Sequence, residues 1–430
     1  MLNRIANDRL AKSFAKIRFK YQAVEWGAIP TKHIGIYIHV PFCEQLCAFC
    51  PFHKVVYKDE LKRFYLKAIE KEIKERTMEG QVEWVYIGGG TPNLLTPSEI
   101  GRILETLREQ VDLTNIGMEG NPLQFTPEYL NQIRELGVEK LSTGVETLKP
   151  DTLSHVNRAK TDETQITSIV ELAQDLGLSV NIDLMVGLPK QAPEDFLYDV
   201  DKVGDINPQQ ITTYPFMEIP GVQVAPEMNS KEMFQLIEEA HDTLGDHGYN
   251  RESIWVFSKT KKIYDSARDE LVIDYLGFGA AAFSKVAGQQ IVNPPLALYL
   301  DMFQNERAMA FQTTVDEKSE NWRKFGHELY NLRLDPEVIH DMPRSIKFIL
   351  SLLKLIGNVK GYQVTQKGRF FVHDLTKTIV ESLPFPVSNP AAIINFEEYQ
   401  KELQAAQELL RIREKTEQPI GEQPIQAIKH

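Results

Sequence analysis

Cysteine is the scarcest residue here: the 430-residue chain holds three, Cys43, Cys47 and Cys50, all in the segment CEQLCAFC. An odd number in one short loop excludes a disulfide framework, because such close neighbours cannot reach disulfide geometry in pairs. Basic charge is also in deficit. With 48 Lys and Arg against 60 Asp and Glu the net charge is -12. Neutralising a phosphate backbone needs a basic patch, so this balance argues against nucleic-acid binding as the main function. Long apolar runs are missing as well: no uncharged stretch reaches the roughly 20 apolar residues a membrane span needs. Near the start, Arg4, Arg9, Lys12, Lys16, Arg18 and Lys20 follow one another without an apolar run of signal-peptide length. The expectation is a cytoplasmic protein with no membrane partner.

What is present describes a globular core. Hydrophobic residues make up 42% and charged residues 25% of the chain, which suits a large domain with a smaller one appended. Short apolar runs alternate with helical patterns from Ile34 onward. The strands read IGIYIHV, EWVYIGG, IGMEG, EKLSTGV, LSVNIDLMV and QQITTYP. Between the first two, Leu61, Tyr65, Ala68, Ile69 and Ile73 recur at helical spacing among charges. Six strand-helix units predict an α/β fold, a partial (β/α)6 barrel. The expected division is an N-terminal extension or lid (1–33), a core (34–310), a substrate-covering C-terminal domain (311–412) and a flexible tail (413–430). SIKFILSLLKLIGNVKGYQVTQKGRFFVHDLTKTIVESL reads as helix, hairpin and helix, so the C-terminal domain is expected to be small, mostly helical and winged-helix-like.

Parallel α/β folds gather their chemistry at the carboxyl ends of the strands. The unusual segments fall there: CEQLCAFC after the first strand, GGGTP after the second, EGNP after the third, GVET after the fourth and GLP after the fifth. C-x3-C-x2-C supplies three thiolates, which on a [4Fe-4S] cluster leaves one iron without a cysteine ligand. A zinc site completed by His39 or His53 stays open on sulfur chemistry alone. Consecutive glycines let backbone approach a ligand closely, and Glu119 at a strand end can accept hydrogen bonds from hydroxyl or ammonium groups.

YIHVPFCEQLCAFC, GGGTP, EGNP, STGVET, VNR, NIDLMVGLP and GFGAAAFS occur in the order found in the radical SAM superfamily. The series resembles the branch of oxygen-independent coproporphyrinogen III oxidase from about Ile34 to Gly288. That resemblance implies a radical SAM core with a [4Fe-4S] cluster on Cys43, Cys47 and Cys50, whose open iron is chelated by S-adenosylmethionine. It also implies a low-potential electron donor such as flavodoxin or ferredoxin. Gly88, Gly89, Gly90 and Thr91 correspond to the loop at the methionine amino group, and Phe49 to the aromatic covering the adenine. The branch binds two molecules of S-adenosylmethionine. Tyr37, Gly89, Glu119 and Phe283 match positions of the cluster-bound one, and Gly90, Thr91, Arg158 and Asp183 those of the second. Glu146 stands where the oxidase has glutamine, and an ionised carboxylate accepts but cannot donate.

Two departures shape the expected reaction. Phe52 replaces the oxidase's extra cysteine, and only Asn293 and Tyr299 in NPPLALYL echo the signature of the related haem chaperone. The resemblance then implies a class C radical SAM methylase or cyclopropanase. Such an enzyme transfers a one-carbon unit to an unsaturated carbon of a small molecule. A radical tetrapyrrole enzyme, coproporphyrinogen oxidase-like or haem-degrading, and a haem chaperone are the alternatives. Tyr214, Tyr249, Arg251, Trp255 and Phe257 are candidates for the substrate side, where aromatic side chains suit a flat unsaturated or aromatic molecule.

Overall fold

The computed structural model describes residues 17–24, 29–76, 78–259, 273–383 and 385–416. One mixed sheet carries β1 (Lys20–Ala23), β2 (Ile29–Val40), β3 (Met78–Gly89), β4 (Ile116–Gly120), β5 (Val138–Glu146), β6 (Ser179–Val186) and β7 (Gln210–Pro215). It continues with β8 (Asn250–Arg251), β9 (Val256–Ser258), β10 (Asp274–Phe278), β11 (Phe283–Val286), β12 (Gln289–Val292) and β13 (Met309–Thr314). Its spatial order is β1-β13-β12-β11-β10-β2-β3-β4-β5-β6-β7-β9-β8. The six strands read from the sequence form the parallel centre, β2 to β7.

The sheet is wider than the six expected strands. DYLGF forms β10, a seventh parallel strand against β2 with Leu276 opposite Ile36. An antiparallel meander then runs through β11, β12 and β13 to β1. Residues 20–23, read as part of the N-terminal extension, are therefore a sheet edge. Residues 1–16 and 417–430, where most of the lid and tail expectations fall, lie outside the described residues.

The helices on the core are α1 (Asp59–Glu75), α2 (Pro97–Arg108), α3 (Pro127–Glu135), α4 (Pro150–His155), α5 (Glu163–Asp175), α6 (Pro193–Ile206), α7 (Ser230–Asp246) and α8 (Leu296–Gln304). Their starts are written locally. Thr96 before Pro97 closes a capping box with Glu99, and Thr126 before Pro127 caps α3 through Tyr129 N–H. Helix α1 buries Leu61, Phe64, Tyr65, Ala68, Ile69 and Ile73 on one face, so its apolar stripe docks on the sheet.

A polar hub lies inside this layer. Glu72 is fully buried and accepts from Arg76 Nη1 at 3.0 Å, Gly279 N at 2.8 Å, Asn293 Nδ2 at 2.8 Å and Tyr299 O–H at 2.7 Å. Those donors come from the C-cap of α1, the turn after β10, the segment after β12 and α8. The remnants of the chaperone signature are thus engaged in holding the core together.

Beyond β13 follow α9 (Glu317–Tyr330), α10 (Pro336–Asp341), α11 (Arg344–Leu355), a two-residue hairpin pairing Val359 with Val364, α12 (Gln366–Ser382) and α13 (Phe396–Thr416). This is the helix, hairpin and helix read from the sequence. It is seated on the core by Ile254 N–H to Tyr330 O at 3.0 Å, Arg369 to Glu238 at 3.0 Å and Ser230 O–H to Asp374 at 3.1 Å. No described helix is long and apolar enough to cross a membrane.

Candidate active site

A cavity of about 460 Å³ opens at the carboxyl ends of the parallel strands. Each contributing loop begins where a strand ends, so residues far apart in sequence meet without any one segment forming the site. Cys43, Cys47, Phe49, Cys50, Gly89, Gly90, Thr91, Glu119, Glu146, Arg158 and Asp183 all line it. Tyr37, Gly88 and Phe283 stand one layer behind. Tyr37 donates its hydroxyl toward His39 Nδ1 at 2.8 Å and its ring stacks 6.3 Å from Tyr86. A Cβ on Gly88 would approach Glu119 Oε1 to 3.0 Å. Phe283 meets the cavity-lining Phe385 edge-on at 5.9 Å.

The glycine loop is dictated by close approach. Gly89 has φ +119, and a Cβ there would sit 2.7 Å from Val40 O. On Gly90 it would lie 2.6 Å from Phe42 O and 2.9 Å from Cys43 Sγ, so only glycine leaves space beside that sulfur. Burial pushes the Cys43 thiol up to about 11, opposed by the Thr91 hydroxyl, and raises Cys50 as well. A thiol held neutral by burial, as Cys43 and Cys50 are, gives up its proton to a metal's positive charge, and Cys43, Cys47 and Cys50 all face one open space. The cysteine loop therefore fits an iron-sulfur cluster. The zinc alternative fails on its fourth ligand. His39 is bonded through Nδ1 to Tyr37 and through Nε2 to His53 O at 3.1 Å, while His53 Nε2 accepts from Leu296 N at 3.1 Å. Among the described residues no three His, Cys, Asp or Glu side chains are arranged to hold a single ion.

Three carboxylates give the cavity its charge. Glu119 accepts from Gly89 N–H and, at 3.0 Å, from Tyr86 O–H. Burial, reinforced by the negative Asp183 and Glu146, still lifts its pKa to about 7. Asp183 is raised by burial although Ser142 O–H and Asn181 Nδ2 each donate to it at 2.8 Å. Glu146 has φ +67 and is also raised by burial, against the pull of Arg158. Acids so desolvated favour a ligand that brings positive charge, which the sulfonium and ammonium of S-adenosylmethionine do.

At Glu146 the structure shows what the carboxylate does. Tyr214 O–H donates to its Oε2 at 2.6 Å, and Arg158 Nη2 lies 3.6 Å from its Oε1. Arg158 also donates to Gly144 O and reaches Cys47 Sγ at 3.5 Å. Of the aromatic candidates, Tyr214 and Trp255 line the cavity. The others serve the frame: Tyr249 bonds Pro208 O at 2.6 Å, Arg251 pairs with Glu238, and Phe257 is buried. Sequence reading missed Phe216, Ile219, Tyr330, Val380 and Phe385, apolar residues whose place on the wall has no local signature.

Residues 37–203 match the model of the radical SAM superfamily. The chain belongs to that superfamily. Within it, this radical SAM protein sits in the coproporphyrinogen oxidase-like branch. It is 27% identical over 400 residues to oxygen-independent coproporphyrinogen III oxidase of Salmonella typhimurium, covering 80% of this chain and 85% of that one. It is 27% identical over 307 residues to the heme chaperone HemW of Bacillus subtilis, covering 66% and 79%. The solved structure of coproporphyrinogen III oxidase from Escherichia coli matches with a TM-score of 0.69 at 26% identity, over 81% of this chain and 90% of that one. These relatives overturn the expected methyl transfer or cyclopropanation. The expectation rested on local departures, Phe52 and the reduced chaperone signature at Asn293 and Tyr299, whereas the likeness to the oxidase covers 80% of the chain. The radical SAM protein takes a [4Fe-4S] cluster and S-adenosylmethionine as cofactors, and its chemistry requires a reductant.

Proposed function

We propose that this radical SAM enzyme carries out radical-initiated oxidation of a tetrapyrrole of the coproporphyrinogen class. The observation carrying the reading is the composition of the cavity wall. Beside the cysteines and carboxylates it includes Phe216, Ile219, Trp255, Tyr330, Val380 and Phe385. A broad apolar and aromatic wall suits a large flat molecule whose reacting carbon must be held against the radical source. Tyr330 comes from α9, Val380 from α12 and Phe385 from the segment between α12 and α13.

When bound, a reduced [4Fe-4S] cluster with S-adenosylmethionine supplies hydrogen-atom abstraction from carbon. Cys43, Cys47 and Cys50 would hold the cluster, and Lys54 Nζ, bonded to Cys50 O at 2.5 Å, closes their loop. Glu119 would take the positive end of the cluster-bound cofactor. Asp183, Arg158 and Thr91 would take a second molecule, with Glu146 pairing with Arg158. Phe49 would cover an adenine. The protein's part is to orient these groups and keep water out. A flavodoxin or ferredoxin would supply the low-potential electron.

The test is anaerobic incubation of the reconstituted protein with S-adenosylmethionine, dithionite and coproporphyrinogen III. The expected outcome is 5'-deoxyadenosine together with an oxidised tetrapyrrole of lower mass. Stoichiometric haem binding without 5'-deoxyadenosine from any tetrapyrrole would replace oxidation with haem carriage.

A further inference from the structure

Trp255 lies just before β9, where the sequence ESIWVFS turns from polar to apolar. Its backbone is pinned to the sheet by Thr213 N–H to Trp255 O at 2.8 Å. The side chain is 5% exposed and lines the cavity. Its indole Nε1–H, a donor that must find a partner when buried, points away from the sheet and donates to Nδ1 of His373 at 3.1 Å. His373 belongs to α12, 118 positions further along the chain.

The clamp is geometric on both sides. The His373 ring meets the indole edge-on at 5.9 Å and the Tyr330 ring meets it edge-on at 5.7 Å. His373 is itself fully buried, and its ring lies 5.4 Å from that of Phe234 on α7. Burial drives its pKa down to about 3, with Lys377 and Arg251 acting in the same direction. The ring is therefore neutral at physiological pH, and the indole donor assigns the acceptor role to Nδ1. One wall of the cavity thus takes its orientation from a helix outside the parallel core.

We propose that Trp255 is the wall that discriminates the macrocycle and that His373 is its positioning residue, so that binding requires α12 to be seated on the core. The inference rests on the tetrapyrrole reading above and specifies which contact selects the substrate. A planar macrocycle lying along this wall gains an aromatic contact only while the indole plane is held. Without the Nδ1 acceptor the indole donor is left unpaired, and the ring is free to leave its clamped plane.

The experiment uses the anaerobically reconstituted full chain, titrated with coproporphyrin III, a stable oxidised macrocycle, and read by the shift of its Soret band. Trp255→Ala is expected to weaken binding about tenfold and Trp255→Phe about twofold. His373→Leu is expected to weaken it about fivefold, whereas His373→Asn, whose side-chain oxygen replaces the Nδ1 acceptor, stays within about twofold of wild type. The indole N–H band in ultraviolet resonance Raman, identified by its loss in Trp255→Phe, should report a hydrogen bond in wild type and His373→Asn and a free N–H in His373→Leu. S-adenosylmethionine affinity serves as the fold control and should not move. If coproporphyrin III binds wild type and His373→Leu equally while only the melting temperature falls, the positioning role is overturned and the tetrapyrrole reading stands. If neither coproporphyrin III nor haem binds the wild-type protein, the tetrapyrrole reading fails and this inference falls with it.

Discussion

At the scale of single residues, the site is decided by groups that tolerate no replacement. Gly90 is the clearest, since a Cβ there would press on both Phe42 O and Cys43 Sγ. Gly90→Ala is expected to retain the circular dichroism of the fold while losing most of its iron on reconstitution, read by metal analysis and by the cluster's visible absorbance. Glu119 makes a second prediction. With its pKa raised to about 7 by burial, it is half protonated near neutrality in the free protein. A cationic ligand prefers the carboxylate, so binding of S-adenosylmethionine should expel that proton. Affinity should then rise up to about tenfold per pH unit below 7 and level off above it. Calorimetry in buffers of different ionisation heat measures the released proton, and Glu119→Gln should abolish the release. Most of these residues were legible because motif chemistry is local: a thiol triplet, a glycine run and an acid at a strand end each carry their meaning within a few positions. The partners that hold them were not. Ser142, Asn181 and Thr212 form the bed beneath Asp183, yet they read as ordinary strand residues because the contact depends on the register between β5, β6 and β7.

At the scale of elements, loops at the strand ends are strapped to helices by buried acids. Asp199 on α6 accepts from Thr147 O–H at 2.5 Å and Leu148 N–H at 3.1 Å, anchoring the turn that follows Glu146. Burial raises its pKa to about 7, far above the unfolded value of about 3.9. Between those two values the folded protein binds more protons than the unfolded chain. Stability therefore falls as pH rises through that window and is flat above it. Asp199→Asn should remove about 2 to 4 kcal/mol of that decline, measured by denaturant unfolding at pH 4.5 and 7.5. The hub at Glu72 has the opposite character. Glu72→Gln leaves buried Arg76 without its counter-charge, and should cost about 3 to 5 kcal/mol in the same measurement. The buried face of α1 was readable from the periodicity of Leu61, Tyr65, Ala68, Ile69 and Ile73. Strands β1 and β10 to β13 were not, because short runs in GFGAAAFSKVAG and QQIVN show no long alternation and acquire strand geometry only by pairing.

At the scale of the whole molecule, the C-terminal helices and the parallel core share the cavity and are joined by bonds such as Arg369 to Glu238 and Ile254 to Tyr330. Helix α13 adds an aromatic seam in which Tyr399 packs on Tyr21 and Phe311 at ring distances of 5.5 and 5.1 Å. Thermal unfolding is accordingly expected to be one transition, coincident by circular dichroism and by Trp fluorescence. Two separated transitions would show the C-terminal helices melting on their own. The sequence by itself determined the radical SAM resemblance and the parallel centre of the sheet, because the order of the motifs and the period-two apolar runs are properties of the linear chain. The apolar lining of the cavity, the commitment of Asn293 and Tyr299 to the Glu72 hub, and the seating of Trp255 by His373 were decided only in the tertiary structure. Each depends on which distant apolar or polar group meets which, and burial, not local pattern, selects those partners.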